Sequence, residues 1–127
     1  MKKTLLGLCF SLIATSVLAN TPMLKDLNLG SFEGKHIISK CSLTLEQNSE
    51  GEIVATFRKG GLVYRSRPRN PDLPIMVSSN NQVWFNFTIE GMTHVNLMFN
   101  NEYDLRPTSY VVLEGRDNRI YSCKNLE

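Results

Sequence analysis

Gln82-Val83-Trp84-Phe85-Asn86-Phe87-Thr88-Ile89-Glu90-Gly91-Met92-Thr93-His94-Val95-Asn96-Leu97-Met98-Phe99-Asn100-Asn101 is the stretch whose reading decides the fold. Val83, Phe85 and Phe87 occupy alternate positions, the pattern breaks at Glu90-Gly91-Met92, and Val95, Leu97 and Phe99 resume it. Period two on both sides of a glycine turn predicts an antiparallel hairpin with one buried face. A three-residue loop pairs Phe87 with Val95, Phe85 with Leu97 and Val83 with Phe99. A two-residue loop would set Phe87 against His94 and mix the faces, so the odd loop is expected.

The same arithmetic extends upstream. Gly60-Gly61 as a two-residue turn pairs Phe57 with Tyr64 and Ala55 with Ser66, which sends Arg58, Arg65 and Arg67 to the opposite face. Eight strands are predicted: His36–Leu45, Glu52–Lys59, Leu62–Pro68, Ile75–Ser79, Gln82–Ile89, Thr93–Asn101, Thr108–Glu114 and Arg119–Asn125. The first would turn Ile37, Cys41, Leu43 and Leu45 inward to meet Ile53, Ala55 and Phe57. Residues 20–35 read as a lead-in, with Leu24, Leu27 and Leu29 on one side of a short helical turn. Most connections are of hairpin length, so strands adjacent in sequence are expected to be antiparallel neighbours. The predicted class is all-β, a single antiparallel meander.

Residues 1–19 stand apart from this domain. Lys2-Lys3, the apolar run Leu5–Val17 and the small residues before Asn20 have the form of a secretory signal peptide, too short to span a bilayer. The mature domain, 20–127, is long enough for one core. The implied location is the periplasm or the cell exterior. Cys9 is no lipid anchor, since Leu8 precedes it where a small residue is needed. The whole chain carries 14 Lys and Arg against 12 Asp and Glu, and removing Lys2 and Lys3 leaves the mature chain neutral. It lacks the global field that nucleic acid or an anionic membrane surface would select.

Cys41 and Cys123 are the cysteines that remain after export. Two thiols in a short exported domain most simply form one disulfide, whereas a tetrahedral zinc site needs further ligands that are not spaced for it here. Closing so long a loop stabilises by about 4–5 kcal/mol in the chain-entropy model. A bond between the first and last strands brings the ends of the meander together. The expected architecture is therefore a small closed eight-stranded barrel, with a two-sheet sandwich as the rival.

Gly30-Ser31-Phe32-Glu33-Gly34, preceding the first strand, resembles the Gly-x-aromatic element that closes one barrel end in the calycin (lipocalin-like) superfamily, with Phe32 where the family has tryptophan. The resemblance implies a carrier of a small hydrophobic ligand. The large inward residues, among them Phe57, Tyr64, Phe85, Phe87 and Tyr121, instead predict a filled interior.

The outer face offers two candidate surfaces. Arg58, Arg65, Arg67 and Arg69, with Lys59, form a basic patch suited to an anionic partner, or a solvated face balanced by Glu46, Glu50 and Glu52. Trp84 opposite Met98, with Val77 beside them, forms an apolar contact patch, or one covered by the lead-in or the 102–107 loop. His94 lacks spaced co-ligands and reads as a solvated histidine. No nucleophile elbow or phosphate loop is present, and no cofactor or metal is implied. The function expected is that of an exported, non-enzymatic envelope-interaction protein, inhibitor-like, with the small-ligand carrier as its rival.

Overall fold

Two antiparallel sheets face one another in the computed structural model, which describes residues 21–127. The signal peptide predicted over 1–19 lies outside the described residues. A short 3-10 turn, Leu24–Asp26, buries Leu24 and leads into the first sheet. That sheet holds β1 (Gly30–His36), β2 (Ser39–Gln47), β3 (Ile53–Lys59) and β4 (Leu62–Arg65) in sequence order. The second holds β5 (Met76–Val77), β6 (Val83–Glu90), β7 (Thr93–Asn101), β8 (Asp104–Glu114) and β9 (Asn118–Cys123), again in order. The meander and its antiparallel neighbours are as the hairpin spacings require.

The single closed eight-stranded barrel is corrected to this pair of sheets. On one side the sheets do join. Lys35 and Lys124 exchange two backbone hydrogen bonds at 2.9 Å, and Glu33 and Glu127 exchange two more. On the other side one ladder bond, Arg67 N–H to the Thr88 carbonyl at 2.9 Å, crosses from the chain after β4 to β6. Pro68, Pro71 and Pro74 follow, and a proline has no N–H to extend a ladder. β4 therefore ends at Arg65, short of the predicted Pro68, and β5 shrinks to two residues.

The predicted first strand is really two. Ile37 and Ile38 form the tip of a tight hairpin between β1 and β2, in which His36 pairs with Ser39 and Gly34 with Cys41. Most of the expected lead-in after Asn28 is thus β1, and Ile37, expected inside, is 84% exposed. Parity carried the signal. Phe32 and Gly34 are even and Cys41, Leu43 and Leu45 odd, and one face changes parity only across a turn. The connection after Asn101 is also tighter than expected, because β8 starts at Asp104.

The register of β6 and β7 holds by a different device. Phe87 meets Val95, Phe85 meets Leu97 and Val83 meets Phe99, as predicted. The tip, however, is the two-residue turn Gly91-Met92, and a bulge at Ile89 supplies the extra residue. Phe57 likewise pairs with Tyr64. Between the sheets Phe57 lies 4.8 Å from the Tyr110 ring and 6.0 Å from Phe87, centroid to centroid, and all three are fully buried. The disulfide joins Cys41 on β2 to Cys123 on β9.

Gly34 is the close-approach point under that disulfide. A Cβ there would stand 2.5 Å from the Lys124 carbonyl and 2.8 Å from the Cys123 sulfur. Gly34→Ala is expected to lower stability by about 1–3 kcal/mol, read as a fall in urea midpoint. Thr56, buried on the outer side of β3, has a hydroxyl without a partner among the described residues. Thr56→Val keeps the shape and removes the orphan, so the midpoint is expected to rise by up to about 1 kcal/mol equivalent.

Candidate functional site

The strand registers gather four hairpin tips at one end of the molecule. Cys41 pairs with Lys59 and Lys59 with Leu62, so the Ile37-Ile38 and Gly60-Gly61 turns are neighbours. Thr93 pairs with Glu114, and the Gly115 N–H donates to the Met92 carbonyl, so the tips at Met92 and Gly115 adjoin as well. The bonds of β1 to β9 and of Arg67 to Thr88 orient the two sheets so that all four tips share that end.

At these tips Ile38 is 95% exposed, Ile37 84% and Met92 72%. Leu62 and Val63 are exposed beside them. Ile37 also has φ +56, a left-handed conformation that glycine or asparagine usually fills and that a β-branched side chain resists. Folding alone favours neither feature. Around the Ile37-Ile38 and Gly60-Gly61 tips stand Lys35, Lys40, Arg58 and Lys59, and the strand segments 34–45 and 53–71 contain no carboxylate, while the Met92 and Gly115 tips bring Glu90, Glu114 and Asp117 with Arg116. The ion pairs among the described residues, Lys25–Asp72, Arg65–Glu46 and Arg106–Asp104, are all elsewhere.

Behind the tips Tyr121 stops the gap between the sheets. Its ring lies 6.0 Å from His36 and 6.5 Å from Tyr64, and the Lys59 ammonium stands 5.3 Å above it. Its hydroxyl is 2.7 Å from that of Tyr110, which donates to the Ser42 carbonyl on β2 at 3.0 Å. The two histidines are pinned. His36 Nδ1 donates to the Ser122 carbonyl at 2.8 Å. His94, expected to be solvated, is half-buried; its Nε2 donates to the Gly115 carbonyl and its Nδ1 accepts from the Asn86 amide. Both roles brace strand ends.

The predicted basic patch divides. Arg58 and Arg67 are exposed, and Arg58 lies in the outer row with Val63, toward the tips. Arg65 contacts Glu46 at 3.4 Å, as the balanced-face reading anticipates. Arg69 is committed internally: its guanidinium lies 5.0 Å from the Phe85 ring and donates to the Asn86 carbonyl at 3.2 Å. In the apolar patch Trp84 does face Met98, and both are half-buried. Met76 takes the place opposite Trp84 that was expected of Val77, because Val77 pairs with Val83. The Ile37-Ile38 tip and the flanking Lys35 and Lys40 were missed, since the turn itself was read as strand.

Among the described residues no three His, Cys, Asp or Glu side chains gather as a metal site, and no helix is long and apolar enough to cross a membrane. No family model, curated protein or solved structure matches the chain. Chemically, the tip end offers exposed aliphatic groups beside Lys35, Lys40 and Arg58, with Lys59 over the Tyr121 ring.

Burial pushes the Tyr110 phenol far above its ordinary range, with Tyr121 adding to the effect. Burial likewise pushes Tyr121 up to about 12, with its bond to Tyr110 pulling the other way. An unfolded chain releases both protons near pH 10, whereas the folded chain holds them. Stability from both groups is therefore complete below pH 10 and falls above it, through about 12 for Tyr121 and to still higher pH for Tyr110. Urea midpoints measured from pH 8 upward are expected to fall over that window. Tyr110→Phe is expected to shallow the fall while costing about 1–2 kcal/mol at neutral pH.

Proposed function

We propose that the chain is an exported, non-enzymatic binding protein of the bacterial envelope that engages a macromolecular partner through its outer surface and hairpin tips, in the manner of an inhibitor. The observation that carries this reading is the filled interior. Phe57, Phe87, Tyr110 and Tyr121 are buried between the sheets and interlock ring against ring. A lipocalin-like carrier, the function implied by Gly30-Ser31-Phe32, needs an internal hollow at that place. Binding capacity is left to the outside, where Ile37, Ile38, Leu62, Val63 and Met92 are exposed.

Three surfaces compete for that role: the tip end, the Arg58–Arg67 face and the Met76–Trp84–Met98 row. The tip end ranks first because it combines exposure with a backbone conformation that its side chain disfavours. Local rules that are broken without a packing gain concentrate at functional positions.

Native mass spectrometry of the oxidised protein, purified from its own compartment without detergent, tests the reading. The expected spectrum is the bare chain with Cys41 and Cys123 joined. A stoichiometric adduct of small-molecule mass would overturn surface binding in favour of a carrier. Arg67→Glu and Trp84→Ala, scored against envelope fractions, are expected to weaken binding less than Ile38→Ser does, by at least threefold on the ratio of affinities, about 0.7 kcal/mol.

A further inference from the structure

We infer that the end formed by Ile37-Ile38 and Leu62-Val63, flanked by Lys35 and Lys40, docks on an anionic lipid bilayer. The inference rests on the surface-binding reading above and assigns the tip end a lipid surface in place of a macromolecule. The aliphatic tips enter the boundary between headgroups and acyl chains, and the ammonium groups meet lipid phosphates.

Shape supplies the first argument. Ile37 and Ile38 form the two-residue turn of their hairpin and are 84% and 95% exposed, so their side chains stand out into solvent at this end. A protruding tip enters a soft interface, whereas a small-molecule site is concave.

Composition supplies the second. The exposed groups are Ile, Leu and Val, and the surrounding charges at the β1–β2 tip are lysines. Protein interfaces concentrate energy in Trp, Tyr and Arg, and are depleted in lysine. Aliphatic side chains ringed by lysine are instead what an anionic membrane surface selects.

Charge placement supplies the third. The mature chain is neutral, but the β1–β4 half of the tip end is cationic, with Lys35, Lys40, Arg58 and Lys59. No carboxylate occurs on 34–45 or 53–71, and Glu46, Glu50 and Glu52 lie at the far end of the same strands, around the β2–β3 turn, whereas the adjoining Met92 and Gly115 tips carry Glu90, Glu114 and Asp117 beside Arg116. The cationic β1–β4 tips are thus the part of this end that an anionic surface attracts within a Debye length, about 10 Å at 0.1 M salt.

Strain supplies the fourth. Ile37 has φ +56 at a position where glycine would be at ease. Ile37→Gly removes both the strain and the inserted side chain, so stability and binding are expected to move in opposite directions. A structural role for Ile37 would move them together.

The test is co-sedimentation of the processed, oxidised protein with vesicles of equal parts phosphatidylglycerol and phosphatidylcholine, and with phosphatidylcholine alone. Expected is binding to the anionic vesicles that weakens with salt and is lost on the zwitterionic ones. Ile38→Ser is expected to reduce the partition coefficient at least tenfold, and Lys35→Gln with Lys40→Gln about fivefold per cation. Ile37→Gly is expected to reduce it while the Tm holds or rises by a few degrees. Absence of binding to the anionic vesicles overturns the inference, as does binding that all these variants leave unchanged. A fall in Tm for Ile37→Gly overturns it too, by making the tip structural. If the vesicles are not bound but Ile38→Ser abolishes a saturable complex with an envelope protein, the lipid partner is overturned and surface binding stands. A stoichiometric small-molecule adduct in the native spectrum overturns surface binding itself.

Discussion

The cross-link between Cys41 on β2 and Cys123 on β9 holds the first sheet to the last strand, and the seam along β1 is built around it. Gly34 pairs with Cys41 and lies against the Cys123 sulfur and the Lys124 carbonyl, so only a residue without a side chain lets β1 approach β9. Lys35 and Glu33 then exchange backbone bonds with Lys124 and Glu127. The C-terminal segment is held as well, through Leu126, which is buried and donates its N–H to the Thr108 carbonyl. In the unfolded chain the same bond closes a loop spanning 82 residues, which removes denatured-state entropy worth about 4–5 kcal/mol. For a domain of this size that is a large part of the net stability.

Tyr110 performs the corresponding task inside. It stands on β8 in the second sheet, yet its hydroxyl reaches the Ser42 carbonyl on β2 and lies 3.4 Å from that of Arg58 on β3. Its ring meets Phe57 of the first sheet and Tyr121 of β9. A buried hydroxyl must find a partner, so this one fixes the relative position of the sheets as apolar contacts alone would not. The opposite seam has no such device. There Pro68, Pro71 and Pro74 interrupt the ladder, and the fold stops short of a continuous barrel.

The tip end is a consequence of this closure. Each two-residue turn is local, but their convergence depends on the seam of β1 with β9 and on the Arg67–Thr88 bond. Once converged, they juxtapose aliphatic tips and cations that are far apart in sequence. Tyr121, beneath Lys59 and beside His36 and Tyr64, backs that end with a rigid aromatic floor.

The amino-acid sequence by itself determined the strand type, the meander, the β3–β4 and β6–β7 pairings and the cysteine pair. These follow from period-two alternation and turn glycines, which are local, and from having two cysteines beyond the predicted signal peptide. Phe57 against Tyr64 and Trp84 against Met98 were legible for that reason. Ile37-Ile38 was not, because two isoleucines with the highest strand propensity stand where turn chemistry would call for glycine or asparagine. Arg69 appeared to belong with its basic neighbours, since charge along the chain says nothing of the Phe85 ring that it covers. Only the tertiary structure decided between barrel and paired sheets, and only it gathered the tips. Both depend on contacts between residues distant in the chain, where a proline's missing donor or a glycine's missing side chain has its effect on a strand that the local pattern does not name.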